Sequence, residues 1–164
     1  MGIREIVIQG EDLKFSCAHF VAFRGFRERL HGHNYTVKLK MAGSLGEDGY
    51  VLDFGIAKKS LRACCKRIHE FLIVPTRSDV LDIQVKGQQL EIVVIESGSF
   101  FSLPLQDCVL LPIVHSTAEE IAEYLWYEVG KDITHDLLKA RGIQWMEIHV
   151  YERPSQGAIF RKNL

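Results

Sequence analysis

Apolar and polar residues alternate from Tyr35 through Val37 and Leu39 to Met41, a period of two that predicts a half-buried strand over His33–Met41. Ile3–Ile8 reads as an earlier strand. A second run, Leu13 to about Phe20, sets Phe15, Cys17 and His19 on one face. Gly43 to Gly49 is a turn or short loop. The period then changes. Behind Asp53, an N-cap residue, Phe54, Ala57, Leu61, Cys64, Ile68 and Phe71 recur at three- and four-residue steps and predict an amphipathic helix in a segment closed by Pro75. Leu90–Ile95 and Phe100–Leu103, hinged at Ser97-Gly98, predict an inserted hairpin at about residues 83–103. Ser116 opens a second helix, Ser116-x-x-Glu119 fits a capping box, and Ile121, Ala122, Leu125, Trp126 and Val129 give its buried face. Trp145–Tyr151 and Ala158–Arg161 close the chain as two strands. Strand pairs separated by helices predict an α+β fold, an antiparallel sheet with both helices packed on one face, in a single domain over 1–164.

Composition narrows the function. The 164 residues carry a formal net charge of −1, with a sequence pI near 6.7. The charges are mixed along the chain, which disfavours a nucleic-acid partner. No apolar run approaches the length that spans a bilayer, and the first residues do not resemble a signal peptide. Cys17, Cys64, Cys65 and Cys108 fit neither a disulfide framework nor a zinc finger, so buried free thiols and a cytoplasmic location are expected.

The histidines bring the chemistry. On a strand, His31 and His33 project from one face. With His19 from a neighbouring strand they make three imidazoles and leave a fourth tetrahedral position open, as in catalytic rather than structural zinc sites. All-imidazole ligation favours zinc. His115, His135 and His149 lack partner spacing and read as structural.

In order along the chain, Phe15-Ser16-Cys17-Ala18-His19, Leu30-His31-Gly32-His33-Asn34-Tyr35, Asp53-Phe54, Ser116-Thr117-Ala118-Glu119 and Val150-Tyr151-Glu152 resemble the 6-pyruvoyltetrahydropterin synthase family, which includes the carboxytetrahydropterin synthases of queuosine biosynthesis. The resemblance spans all but the inserted hairpin. It implies the tunnelling fold (T-fold), β-β-α-α-β-β, and a homohexamer of two stacked trimers with active sites at subunit interfaces. It also implies a Zn2+ cofactor on His19, His31 and His33, and Glu152 as the anchor of the pterin ring. A fixed carboxylate suits that task, because the pterin edge offers two parallel N–H donors. Ser116 and Thr117 are candidate substrate contacts at the helix N-terminus, or simply caps.

Two departures from the family pattern matter. The usual synthases place a cysteine base before the second zinc histidine, and no cysteine lies between His19 and His31. Gly25-Phe26-Arg27-Glu28-Arg29-Leu30-His31 instead resembles the apicomplexan-type branch, where glutamate replaces the cysteine and a similar hairpin is inserted. Glu28 is then the candidate base; on its own it could equally be a solvated partner of Arg27 or Arg29. The second departure is the Asp-His relay pair, which reads here as His69-Glu70, in reversed order. Adjacent helical residues point about 100° apart, so reversal does not preserve geometry: His69 and Glu70 are catalytic candidates, with either His69 serving from a shifted position or the relay absent. Cys17 is a possible substitute thiol.

The resemblance implies a carbon–oxygen or carbon–carbon lyase acting on a pterin triphosphate. With Glu28, the expected reaction is cleavage of 7,8-dihydroneopterin triphosphate to 6-hydroxymethyl-7,8-dihydropterin, a folate precursor, with Arg24, Arg27 and Arg29 candidates for the triphosphate. The alternatives are triphosphate elimination to 6-pyruvoyltetrahydropterin, on the tetrahydrobiopterin route, and a non-catalytic pterin-binding homologue.

Overall fold

The computed structural model describes residues 2–164. Its twelve strands are β1 (Arg4–Ile8), β2 (Lys14–His19), β3 (Ala22–Phe23), β4 (Phe26–Arg27), β5 (His31–Gly43), β6 (Phe71–Pro75), β7 (Leu81–Lys86), β8 (Gln89–Val94), β9 (Phe100–Pro104), β10 (Cys108–Leu111), β11 (Ile143–Arg153) and β12 (Gln156–Asn163). The helices are α1 (Phe54–Arg67), α2 (Ala118–Ile133) and α3 (His135–Ala140).

The main sheet runs β10-β6-β2-β5-β11-β12, with β1 also paired to β5. It is antiparallel except around β6, which pairs parallel with both β2 and β10. β5 is the spine. Its odd-numbered residues Tyr35, Val37, Leu39 and Met41 are almost wholly buried beneath the helices, while Thr36 on the other face is exposed. α1 adds Ala57, Leu61, Cys64 and Cys65, and α2 adds Ile121, Ala122, Leu125 and Val129 to the same core. Among the described residues no helix is long and apolar enough to cross a membrane.

Three sequence expectations need adjustment. The α1 stripe does not run on to Phe71. The helix is capped at Ile68, and Glu70 takes a left-handed φ of 65° that turns the chain into β6. Phe-Leu-Ile-Val-Pro is β-prone and finds sheet partners on both sides, so Phe71 opens a strand opposite Cys17. The expected hairpin is a three-stranded antiparallel sheet, β7-β8-β9, whose first strand starts at Leu81. It buries Leu81, Leu90, Ile92 and Val94 with Phe20, Ala22, Leu72, Val74 and Cys108 in a second core. The second helix begins one residue later than the capping box suggested: Thr117 is the N-cap and accepts from the Glu120 amide. Glu120, not Glu119, reaches back, accepting from the amides of Val114 at 2.6 Å and His115 at 3.1 Å. β10 and the short α3 carry too little periodicity to be seen in advance.

Candidate metal and pterin site

β2 and β5 pair so that His19 lies directly opposite His31. Because side chains alternate across a strand, His33 joins them on the same face and the three imidazoles meet. Their ligating nitrogens all lie within 4.8 Å of one another, and the Nε2 atoms of His31 and His33 are 3.0 Å apart. This group could hold a metal ion.

Two of the rings are oriented by the backbone. His19 Nδ1 lies 2.7 Å from the Ser116 carbonyl oxygen, and His31 Nδ1 lies 2.7 Å from that of Arg29. A carbonyl can only accept, so each Nδ1 carries the proton and each Nε2 presents a lone pair to the cluster. Burial pushes the His19 pKa below its ordinary value, which keeps the ring neutral, as ligation requires. The donor set therefore fits a metal: three imidazoles, two of them with tautomers set by backbone carbonyls, and open space on one side.

That space is a cavity of about 290 Å³ bordered by His19, His31 and His33 together with Glu28, Thr117 and Glu152. Glu152 enters from β11. One of its oxygens accepts from the Tyr35 hydroxyl at 3.2 Å and stands 3.3 Å from His33 Nε2; the other accepts from Gln156 at 3.2 Å. Tyr35 is buried, and burial first, with Cys17 and Glu152 adding to it, raises its pKa, so the hydroxyl stays a donor. Glu28 comes from the end of the short β3–β4 hairpin. Its carboxylate accepts from the Val21 amide at 2.9 Å, and its own amide donates to the Val21 carbonyl at 2.9 Å.

Five expected residues, His19, His31, His33, Glu28 and Glu152, thus meet around one cavity, and Thr117 borders it while also capping α2. Ser116 does not line it. It is fully buried, its hydroxyl donates to the Phe20 carbonyl, and its own carbonyl orients His19. His69 and Glu70 also lie away from it. His69 Nδ1 accepts from the Ser16 amide at 3.0 Å, while Glu70 borders a second cleft with Ser16, Cys17, Ala18, Gly32, Asn34 and His33, the last of which lines both cavities. Cys17 is buried, burial pushes its thiol up to about 12, and it does not border the cavity. Tyr35 is the participant that sequence reasoning passed over. Its place in the β5 alternation marked it as core, and its register beside His33 was the signal that it also borders the ligands.

Residues 10–163 match the family model described as 6-pyruvoyl tetrahydropterin synthase. A Methanocaldococcus jannaschii protein provisionally named 6-carboxy-5,6,7,8-tetrahydropterin synthase is 33% identical over 156 residues, covering 93% of this chain and 91% of its own. The crystal structure of 6-pyruvoyl tetrahydropterin synthase from Plasmodium vivax is 43% identical and superimposes with a TM-score of 0.97, covering 100% of both chains. A P. vivax variant with a catalytic glutamate changed to alanine is 42% identical, with a TM-score of 0.96 over 100% of both chains. The T-fold expectation holds, and with the match running nearly end to end, the chain belongs to the 6-pyruvoyl tetrahydropterin synthase family of pterin-binding lyases, which act on the pterin side chain.

Proposed function

We propose that this lyase uses zinc on His19, His31 and His33 to cleave the side chain of 7,8-dihydroneopterin triphosphate, giving 6-hydroxymethyl-7,8-dihydropterin. The observation that carries the reading is a carboxylate, Glu28, bordering the cavity of the three imidazoles, whose lining includes no cysteine. The glutamate named catalytic in the P. vivax relative supports it.

Each residue has a part. Zinc, when bound, supplies a Lewis acid that lowers the pKa of a side-chain hydroxyl. Glu28 takes the proton from the hydroxyl on the carbon just beyond the bond that breaks. As that C–O becomes a carbonyl, the carbon–carbon bond cleaves and its electron pair is taken up by the pterin ring. A proton returned to the ring-side carbon leaves the hydroxymethyl product. Glu152 accepts from the N–H edge of the ring and fixes its orientation, with Tyr35 holding the carboxylate in place. Thr117 is a further contact for the substrate.

The same reading makes the protein a homohexamer in the cytoplasm, and four buried cysteines in the free thiol state support that location. His69 and Glu70 are exposed and do not border this cavity; with active sites at subunit interfaces, a relay from them would serve a neighbouring subunit. The chain then works as one domain over 1–164.

The test is product analysis after incubating zinc-loaded protein with dihydroneopterin triphosphate. Hydroxymethyl-pterin as the main species supports the proposal. A second reading, triphosphate elimination, is favoured by the name of the P. vivax relative and yields pyruvoyl-pterin instead; that product would overturn the assignment.

A further inference from the structure

The β7–β9 sheet looks at first like a passive addition, but it touches the hairpin that delivers Glu28 at two places and the residue leading into Val21 at a third. β3 and β4 are two residues each, too short to hold a conformation unaided. Their turn passes through Gly25 at φ +82°, and the Gly25 amide donates to a Glu96 carboxylate oxygen at 2.7 Å. Glu96 lies in the β8–β9 turn, so this charge-assisted bond clips the two turns together. Phe101 of β9 stacks on Phe20, with ring centroids 5.0 Å apart and planes 19° from parallel. The Arg27 guanidinium lies over the same Phe101 ring at 5.7 Å, and its Nη1 donates to the Glu28 carbonyl at 3.0 Å. One residue after Phe20 comes Val21, whose backbone holds Glu28 by both amide and carboxylate.

We propose that the inserted sheet positions Glu28, with Glu96 and Phe101 as positioning residues that fix where its carboxylate stands in the cavity. The inference rests on Glu28 being the base. Glu96 clips the hairpin tip, while Phe101 sets the flank on which Phe20 and Arg27 sit. Neither touches the imidazole cluster, so metal binding is independent of both.

The experiment compares zinc-loaded wild type with Glu96→Ala, Glu96→Gln, Phe101→Ala and Phe101→Tyr, measuring turnover of dihydroneopterin triphosphate, zinc content and hydrogen exchange of the segment 22–29. A displacement of about 1 Å in a reacting group costs up to about a hundredfold, so Glu96→Ala should lower kcat by about tenfold or more. KM and zinc content should stay within about twofold of wild type. Exchange over 22–29 should rise. Glu96→Gln retains an acceptor oxygen and Phe101→Tyr retains the ring, so each should recover most of the loss. In a Glu28→Gln background, Glu96→Ala should bring no further decrease, because both act through the same carboxylate. Wild-type kcat in Glu96→Ala and Phe101→Ala, with Glu28→Gln inactive, would overturn the positioning role and leave the base assignment standing. A fully active Glu28→Gln would instead remove the base assignment itself.

Discussion

The carboxylate of Glu152 and the hydroxyl of Tyr35 are joined by a 3.2 Å hydrogen bond at the edge of the imidazole cluster. It links two strands of the main sheet and sets a carboxylate beside His33 without using up its accepting capacity. Tyr35→Phe keeps the stacked ring against Phe15 and deletes only the donor. Stability should fall by about 1 kcal/mol, the usual worth of one such bond. Pterin affinity should drop several-fold with zinc content unchanged, measurable by thermal melts, fluorescence titration and metal analysis.

Removing the carboxylate charge is a stronger test of the same position. Glu152→Gln offers one acceptor oxygen and no charge to the ring edge, so pterin binding should weaken by about tenfold or more, the scale of losing a charge-assisted bond of about 1.5–3 kcal/mol. Zinc should remain bound. Unchanged pterin affinity in a titration would remove Glu152 from the anchoring role.

The metal should respond to the ligands and not to the base. His31→Ala removes a nitrogen at the centre of the cluster. Zinc affinity should fall by more than the roughly 10–100-fold that follows loss of an outer partner, and turnover should fall with it. Glu28→Gln should retain full zinc and lose turnover. Elemental analysis alongside product assays separates the two.

Glu70 offers a separation of stability from chemistry. A non-glycine residue at φ 65° is strained, and Gly relieves that strain by about 1 kcal/mol. Glu70→Gly should therefore raise the melting temperature. If Glu70 takes part in a proton relay, kcat falls as stability rises; unchanged kcat assigns it to the turn alone.

A pH effect follows from the loop after β5. Asp48 receives two guanidinium N–H bonds from Arg141, at 2.8 and 2.9 Å, and these hold its carboxyl at about 2, below the ordinary 3.8. A depressed carboxyl pKa stabilises the fold at pH values above the ordinary one, and that contribution is lost as the pH falls through the folded value. Asp48→Asn should therefore melt below wild type at about pH 5, with the gap closing between about pH 4 and pH 2. Melting curves across that range check the sign.

Much of the site is readable in the chain because strand alternation is a short-range rule. His19, His31 and His33 lie on one antiparallel pair, so parity alone brings them together. Glu152 and Glu28 required the family pattern, since nothing local says that β11 and the β3–β4 hairpin end at the same cavity. The errors have equally specific causes. Phe71 continued a helical stripe until the left-handed turn at Glu70 and sheet pairing overrode it. Ser116 and Thr117 both suit an N-cap, and only the position of Glu120 shows which one serves. The first strand of the insert, Leu81–Lys86, alternates plainly, but four of its six residues are exposed and only Leu81 is buried.

The pairing of β2 with β5 has a consequence for biogenesis. All three imidazoles lie within the first 33 residues, whereas Ser116, whose carbonyl orients His19, comes more than 80 residues later. A nascent chain leaving the ribosome thus displays its complete nitrogen donor set long before α2 exists. His31 can then already be turned by the nearby Arg29 carbonyl, whereas His19 waits for Ser116, so the cluster that could hold a metal is fully oriented only when the later part of the polypeptide arrives.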